Sequence, residues 1–195
     1  MEGVIFTWDI ASKTKEQEEM TWEEIINPDE IFGGGDFGYS VDPAVFIKIY
    51  RKANEFWVEE IVYETGLTNQ GLGREMEKKG VDKKLVSYWD SAEPKSIQEL
   101  TEIGFNAKPC EKGPDSVRAG IDFLLGLKIH IIDGSEGIFR EQKSYLRQQD
   151  KAGRFISTPI NFNNHAMSAI RYGIHTHCKS MAAFSFAGFS KEDWR

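Results

Sequence analysis

Three apolar segments rich in β-branched and aromatic residues follow one another between positions 31 and 63. They are a short run that ends on Asp36, a second run at 44–50 and a third at 55–63. β-Branched and aromatic side chains favour strands, and the polar residues 51–54 separate the last two runs as a turn does. The pattern predicts an antiparallel meander of three strands.

Beyond residue 66 the patterns of helix and strand alternate. A polar stretch at 68–79 ends at Gly80, and a compact apolar run at 84–89 then leads into Asp90. Because strand, helix, strand is the order of a parallel crossover, we predict an α/β fold whose mixed central β-sheet has flanking helices. Further helices are predicted at 95–103, 115–125, 137–145 and 163–172, further strands at 105–109 and 128–132, and one arm of a hairpin at 154–156.

The first thirty residues lack a sustained period. Charged residues crowd 13–19, and one short helix is indicated at 21–26. We interpret residues 1–30 as an exposed lead-in or linker segment and residues 31–195 as one domain.

Composition favours a folded domain in the cytoplasm of a cell. The chain has 195 residues, 40% hydrophobic and 28% charged, which is enough to bury a core without disulfides. Cys110 and Cys178 form no motif and are expected to be reduced thiols. No apolar run approaches the roughly 20 residues that span a bilayer, and the N-terminus lacks the features of a signal peptide, so no membrane contact is expected.

The net charge bears on the kind of partner. At −7 it argues against a surface devoted wholly to a phosphate backbone, which is bound by clustered Lys and Arg. An enzyme that binds divalent cations, however, must gather carboxylates. The net negative charge is therefore weak evidence against a DNA-binding protein and weak evidence for a metal-binding one.

Two aspartates lie where a hydrophobic strand ends or is interrupted, Asp36 among glycines and Asp90 after the run at 84–89. Each alone also fits a structural role, as the cap of a turn or of the helix that follows. On adjacent strands, however, the two carboxylates would repel each other unless they shared a cation, and hard oxygen ligands favour Mg²⁺ or Mn²⁺. Two such ions roughly 4 Å apart activate a water and stabilise the leaving oxygen of a phosphodiester.

Three segments together resemble the nuclease domain of tailed-phage terminase large subunits. They are FGGGDFGYSVDPA at 32–44, WDSAEPKSI at 89–97 and NHAMSAIRY at 164–172, in the same order and spacing. The resemblance spans about residues 31–175. It implies an RNase H-like fold in which three acidic positions hold two Mg²⁺ or Mn²⁺ ions, and Asp36 and Asp90 match the first two.

The chain departs from that family at the third acidic position. Where the family has an aspartate three residues after the histidine of the last helix, this chain has Ser168. A neutral hydroxyl is a weak ligand, so the second ion is expected to bind poorly. His165 lies one helical turn earlier on the same face and is our third catalytic candidate, as a metal ligand or proton shuttle; the alternative is that it only packs or bonds the backbone.

Further polar residues are assigned by position. Asp42, Glu64 and Glu93 are expected to support the metal ligands or to serve only structure. Lys95 is a candidate to steer a phosphate. Basic residues around the predicted hairpin form a candidate DNA track, although such a run is often just a solvated face. These are Lys143, Arg147, Lys151 and Arg154. The H-x-H-C at 175–178 is weak evidence for zinc and is interpreted as an exposed helix end.

The resemblance implies an endonuclease that cleaves concatemeric viral DNA during genome packaging. Its expected partners are double-stranded DNA, the terminase ATPase domain, the small terminase and the portal. The chain has no G-x-x-x-x-G-K-[ST] motif, so we expect an excised domain whose ATP motor lies elsewhere. Two alternatives stay open: a catalytically weakened docking module of the motor, and another RNase H-like enzyme such as a junction resolvase or integrase.

Overall fold

A seven-stranded mixed sheet is the centre of the structure, a computed structural model that describes residues 3–113, 115–160 and 163–187. The strand order is β1-β7-β4-β3-β2-β5-β6, and β8 and β9 form a separate hairpin. The strands are β1 Asp9–Ala11, β2 Glu30–Asp36, β3 Ala44–Lys52, β4 Glu55–Glu64, β5 Ser87–Trp89, β6 Ala107–Pro109, β7 Lys128–Ile132, β8 Arg147–Gln149 and β9 Phe155–Pro159. The helices are α1 Trp22–Ile26, α2 Asn69–Lys78, α3 Pro94–Glu102, α4 Ser116–Leu125, α5 Glu136–Ser144 and α6 His165–Ala187, with a 3-10 turn at Lys15–Gln17.

The predicted meander and parallel crossovers are confirmed. β2, β3 and β4 pair antiparallel in sequence order. β5 then joins β2 in parallel, with Gly35 opposite Trp89, and β6 joins β5 in parallel. Because β2 and β5 run the same way in this register, Asp36, the last residue of β2, and Asp90, the residue after β5, emerge side by side at one edge of the sheet.

Helices cover both faces of the sheet, and alternation along β3 divides the core between them. Val45, Ile47 and Ile49 pack towards α4, α5 and α6. Ala44 and Phe46 point the other way, into the cluster under α2 and α3. A period of two along a strand that is buried on both faces gives this division.

Gly34 lets α6 lie directly on the backbone of β2. A Cβ built at this position would collide with the carbonyl oxygen of Ala169. The glycine therefore permits a helix and a strand to approach more closely than side chains allow. This contact brings the first turns of α6, with His165 and Ser168, to the end of β2.

The expectation of an exposed lead-in is wrong for part of residues 1–30. Ile5 and Phe6 are buried in the main core, and β1 pairs in parallel with β7 and covers its open edge. A strand of three residues carries too little pattern to be recognised, and its stability comes from the neighbouring strand. The short helix predicted at 21–26 is confirmed as α1, whose Thr21 and Glu24 form a capping box.

The last helix is longer than predicted. It continues past residue 172 to Ala187, so the H-x-H-C at 175–178 is not an exposed helix end. His175, Thr176 and His177 are buried, and His177 stacks on Phe32 at a ring-centroid distance of 4.0 Å. These side chains are buried because this part of α6 packs against the sheet. Among the described helices, none has the length and apolarity needed to cross a membrane.

Candidate active site

Asp36 and Asp90 line one cavity of about 770 Å³ at the edge of the sheet. Asp36 closes β2 and Asp90 follows β5, so the pairing of these strands brings the two carboxylates together. His165 and Ser168, from the first turns of α6, line the same cavity. The four residues proposed from the sequence as metal or catalytic groups thus share one site.

Asp36 is the more buried of the two carboxylates. Its side chain is 15% exposed, and its Oδ2 lies 2.9 Å from Nδ1 of His165. Burial raises the pKa of this carboxyl, and nearby Asp90 adds to the rise, while the hydrogen bond and charge of His165 oppose it. A cation bound beside Asp36 would favour the ionised form of this carboxylate.

His165 is held between two aspartates. Its Nδ1 faces Asp36, and its Nε2 lies 3.3 Å from Oδ1 of Asp42, a side chain that is 68% exposed. The hydrogen bond to Asp36 raises the pKa of the imidazole. Because both ring nitrogens face carboxylates, the arrangement favours a cationic imidazolium. The same contact orients Asp36.

Asp90 is fixed by three donors. Tyr172 Oη donates to its Oδ2 at 2.9 Å, and the Ala92 amide donates to its Oδ1 at 2.7 Å. The ammonium of Lys112 pairs with Oδ1. Burial alone would raise the pKa of Asp90, but these hydrogen bonds together lower it, so this carboxylate is ionised at neutral pH.

Asp36 and Asp90 are side chains of this cavity that could hold a divalent ion. Two carboxylates with water and a substrate phosphate completing the shell suit Mg²⁺ or Mn²⁺. On the third side of the cavity Ser168 offers a neutral hydroxyl, and across the described ranges no group of three or more His, Cys, Asp or Glu side chains is arranged to hold a metal. A second ion would lack an anionic ligand at Ser168.

Glu141 of α5 anchors the N-terminus of α6. Its carboxylate accepts the backbone N–H groups of His165, Ala166 and Met167 at 2.8 to 3.1 Å, and also the hydroxyl of Tyr63 at 2.8 Å. The side chain is buried, which raises the pKa of its carboxyl. Glu141 thus satisfies amides that a helix start leaves unpaired, and fixes the turn that carries His165.

Replacing Glu141 with glutamine is expected to lower the free energy of unfolding by about 1–3 kcal/mol, because an amide of the same shape offers fewer acceptor sites to these buried donors. Urea denaturation monitored by tryptophan fluorescence measures the change. Glu136→Gln, at an exposed position of the same helix, is the matched control and should change stability much less. Equal effects of the two substitutions would contradict the assigned role.

The remaining candidates lie around this site or away from it. Asp42 contacts His165, whereas Glu93 borders a neighbouring hollow together with Asp42. Glu64 and Lys95 are exposed and do not line the 770 Å³ cavity.

The hairpin of β8 and β9 borders the site, but through residues other than its basic ones. Gln148, Thr158 and Pro159 line the cavity. Arg154 pairs with Asp150 at 2.9 Å within the hairpin. Lys143 lies over the ring of Phe139 and borders a different hollow, while Arg147 is half-buried and Lys151 is exposed in the turn.

Sequence reasoning missed Lys112, Tyr172, Glu141 and Arg171. Lys112 lies shortly after β6, the parallel neighbour of β5. Asp90 was located because it comes at the carboxyl end of a predicted strand, and the same reasoning could have located Lys112. Glu141 was detectable as a carboxylate three residues after the buried Ile138 on one helix face. For Tyr172 and Arg171 no local signal separates a site residue from a packing residue.

Comparison with known proteins identifies terminase large subunits as relatives. The family model described as the terminase RNase H-like domain matches residues 36–176. The terminase large subunit of Bacillus phage SPP1 is 31% identical over 167 residues, 82% of this chain and 39% of that protein. The PBSX phage terminase large subunit of Bacillus subtilis (strain 168) is 26% identical over 144 residues, 72% of this chain and 33% of that protein. The chain therefore spans well under half the length of either relative.

Solved structures agree with the sequence relatives. The g2p large terminase nuclease domain of bacteriophage SPP1, solved with bound Mn, superposes with a TM-score of 0.72 at 26% identity, covering 86% of this chain and 96% of that one. The large terminase of a thermophilic bacteriophage gives a TM-score of 0.64 at 20% identity over 87% of this chain and 44% of that one, a likeness of fold.

Proposed function

This chain belongs to the terminase RNase H-like domain family and has that fold, and we propose that it is a divalent-metal-dependent endonuclease acting on viral DNA during genome packaging. The observation that carries the proposal is the convergence of Asp36 and Asp90 at the ends of β2 and β5 in one cavity. The manganese in the SPP1 nuclease domain supports a divalent ion here.

Asp36 and Asp90 would hold the ion, and His165 and Tyr172 would orient them. A bound Mg²⁺ or Mn²⁺ lowers the pKa of a coordinated water and offsets the charge of the phosphodiester. The His165 imidazolium adds positive charge beside Asp36, while Tyr172 and Lys112 hold Asp90 in place. We propose that Ser168 leaves the second of two ions weakly bound, and that activity is correspondingly low.

The DNA would enter beside the hairpin of β8 and β9. Gln148 and Thr158 border the cavity, and the exposed Lys151 at the turn extends the same arm. In the full assembly the proposed partners are the terminase ATPase domain, the small terminase and the portal, and the proposed place of action is the host cytoplasm.

Cleavage is expected to depend on a divalent metal. Supercoiled plasmid should be nicked or linearised with Mn²⁺ and left intact with EDTA, because the carboxylates cannot activate water without the ion. Isothermal titration with Mn²⁺ measures binding independently. A strong preference for branched DNA over linear and supercoiled DNA would instead favour a junction resolvase.

A docking module of the packaging motor is the second candidate function, favoured by the neutral Ser168 in place of a third carboxylate. Absence of both Mn²⁺ binding and plasmid cleavage would replace the nuclease proposal with this one.

A further inference from the structure

Arg171 is a buried cation whose Nε has no partner in the part of the chain that the structure describes. The side chain is 7% exposed, lies on α6 one turn beyond Ser168 and lines the same cavity as Asp36 and Asp90. Its Nε is fully buried and finds no hydrogen-bond acceptor among the described residues. Buried charged donors are normally paired, and leaving one unpaired is costly. Among the described residues, Nε is therefore left without an acceptor in a side chain that lines the cavity.

The position of Arg171 is built into the fold. Gly120 of α4 lies under its stem, since a Cβ there would come within 2.7 Å of Arg171 Cδ. The guanidinium carbon lies 4.5 Å from the centroid of the Tyr172 ring, and Tyr172 in turn bonds Asp90. The cation is thus held beside the carboxylate pair before any ligand arrives.

The first turn of α4 faces the same cavity. Ser116, Val117 and Arg118 of this turn line the cavity. α4 has ten residues, so it has the aligned peptide dipoles of a regular helix. The N-cap residue, Asp115, is in the left-handed region at φ 58 and makes no side-chain hydrogen bond to the helix. Its carboxylate opposes an incoming anion, as do Asp36 and Asp90, whereas the helix N-terminus, Arg118 and Arg171 attract one.

We propose that Arg171 and the first turn of α4 form a subsite for a backbone phosphate of the DNA strand, next to the phosphodiester that Asp36 and Asp90 address. The inference rests on the proposed function, because a polynucleotide places a second phosphate beside the one that is cut. A guanidinium matches two phosphate oxygens in a way that a single carbonyl does not. The subsite fixes the register of the strand and leaves the chemistry to the carboxylates.

Binding without cleavage tests the subsite. A fluorescent DNA duplex is titrated in EDTA and followed by anisotropy for the wild type, Arg171→Met, Arg171→Lys and the control Arg74→Met, an exposed arginine on α2 outside the cavity. Arg171→Met should weaken binding by about 10-fold or more, since a charge-assisted contact to phosphate is lost. Arg171→Lys should keep part of the affinity, and Arg74→Met nearly all of it.

A stability measurement separates a ligand-binding role from a structural one. The melting temperature of Arg171→Met in chloride should equal or exceed that of the wild type, because an unpaired buried donor is removed. Inorganic phosphate at matched ionic strength should stabilise the wild type more than the variant. A lower melting temperature in chloride with an unchanged phosphate effect makes Arg171 structural and overturns the subsite.

The outcomes also separate this inference from the nuclease proposal. If plasmid is cleaved but Arg171→Met binds DNA like the wild type, or if no DNA or phosphate binding is measurable, the subsite alone is refuted. If the binding pattern holds while no metal restores cleavage, the subsite stands and the nuclease proposal fails.

Discussion

Replacing Asp36 with asparagine is expected to reduce Mn²⁺-dependent plasmid cleavage by about 100-fold or more, as removal of a metal ligand does. The substitution keeps the shape of the side chain and an oxygen that can still face Nδ1 of His165. It removes the negative charge, so the proposed ion keeps one carboxylate, Asp90, and that carboxylate already pairs with Lys112. Initial rates of supercoiled plasmid loss measure the effect.

The Asp36→Asn variant should lose activity without losing thermal stability. Burial disfavours the ionised form of this carboxyl and raises its pKa, so a neutral amide is expected to leave the melting temperature in EDTA unchanged or higher. Asp133→Asn is the matched control, because Asp133 follows β7 at the same edge of the sheet but does not line the cavity. Undiminished cleavage by Asp36→Asn would exclude the proposed metal site.

Replacing Ser168 with aspartate is expected to increase Mn²⁺-dependent cleavage by about 10-fold or more, because it supplies an anionic ligand for a second ion. The side chain lies on α6 at the wall of the cavity that holds Asp36 and Asp90. Isothermal titration should show the stoichiometry rise from one Mn²⁺ to two. Cleavage assays on the same plasmid measure the rate.

The cost of the added carboxylate gives a second readout. A third negative charge in the cavity should lower the melting temperature in EDTA, and Mn²⁺ should reverse that loss. Ser168→Asn, similar in size but neutral, should produce neither effect. If Ser168→Asp binds no additional ion and cleaves no faster, Ser168 is not the reason for weak metal binding, and the docking alternative gains support.

Much of the fold was predictable because its elements have strong local periods. The meander of β2 to β4, the crossover through α2 and the hairpin arm at β9 are close to the predicted positions. β1 was not predicted, because three residues carry no readable alternation and the strand exists only through its pairing with β7. The end of α6 was misplaced because residues 173–177 are buried, so this part of the helix shows no polar face.

The same division holds for the site. By itself the sequence determined which carboxylates end the two central parallel strands, since alternation and glycine placement locate Asp36 and Asp90 and the rule of neighbouring strands joins them. Only the tertiary structure decided that Lys112 and Tyr172 hold Asp90 and that Glu141 anchors the turn carrying His165. It also decided that Arg171 lines the cavity with an Nε that has no acceptor among the described residues. Those contacts join residues on separate elements, and their geometry is set by how α4, α5 and α6 pack on the sheet. Local patterns record the period of an element, whereas close packing between elements fixes which polar groups meet.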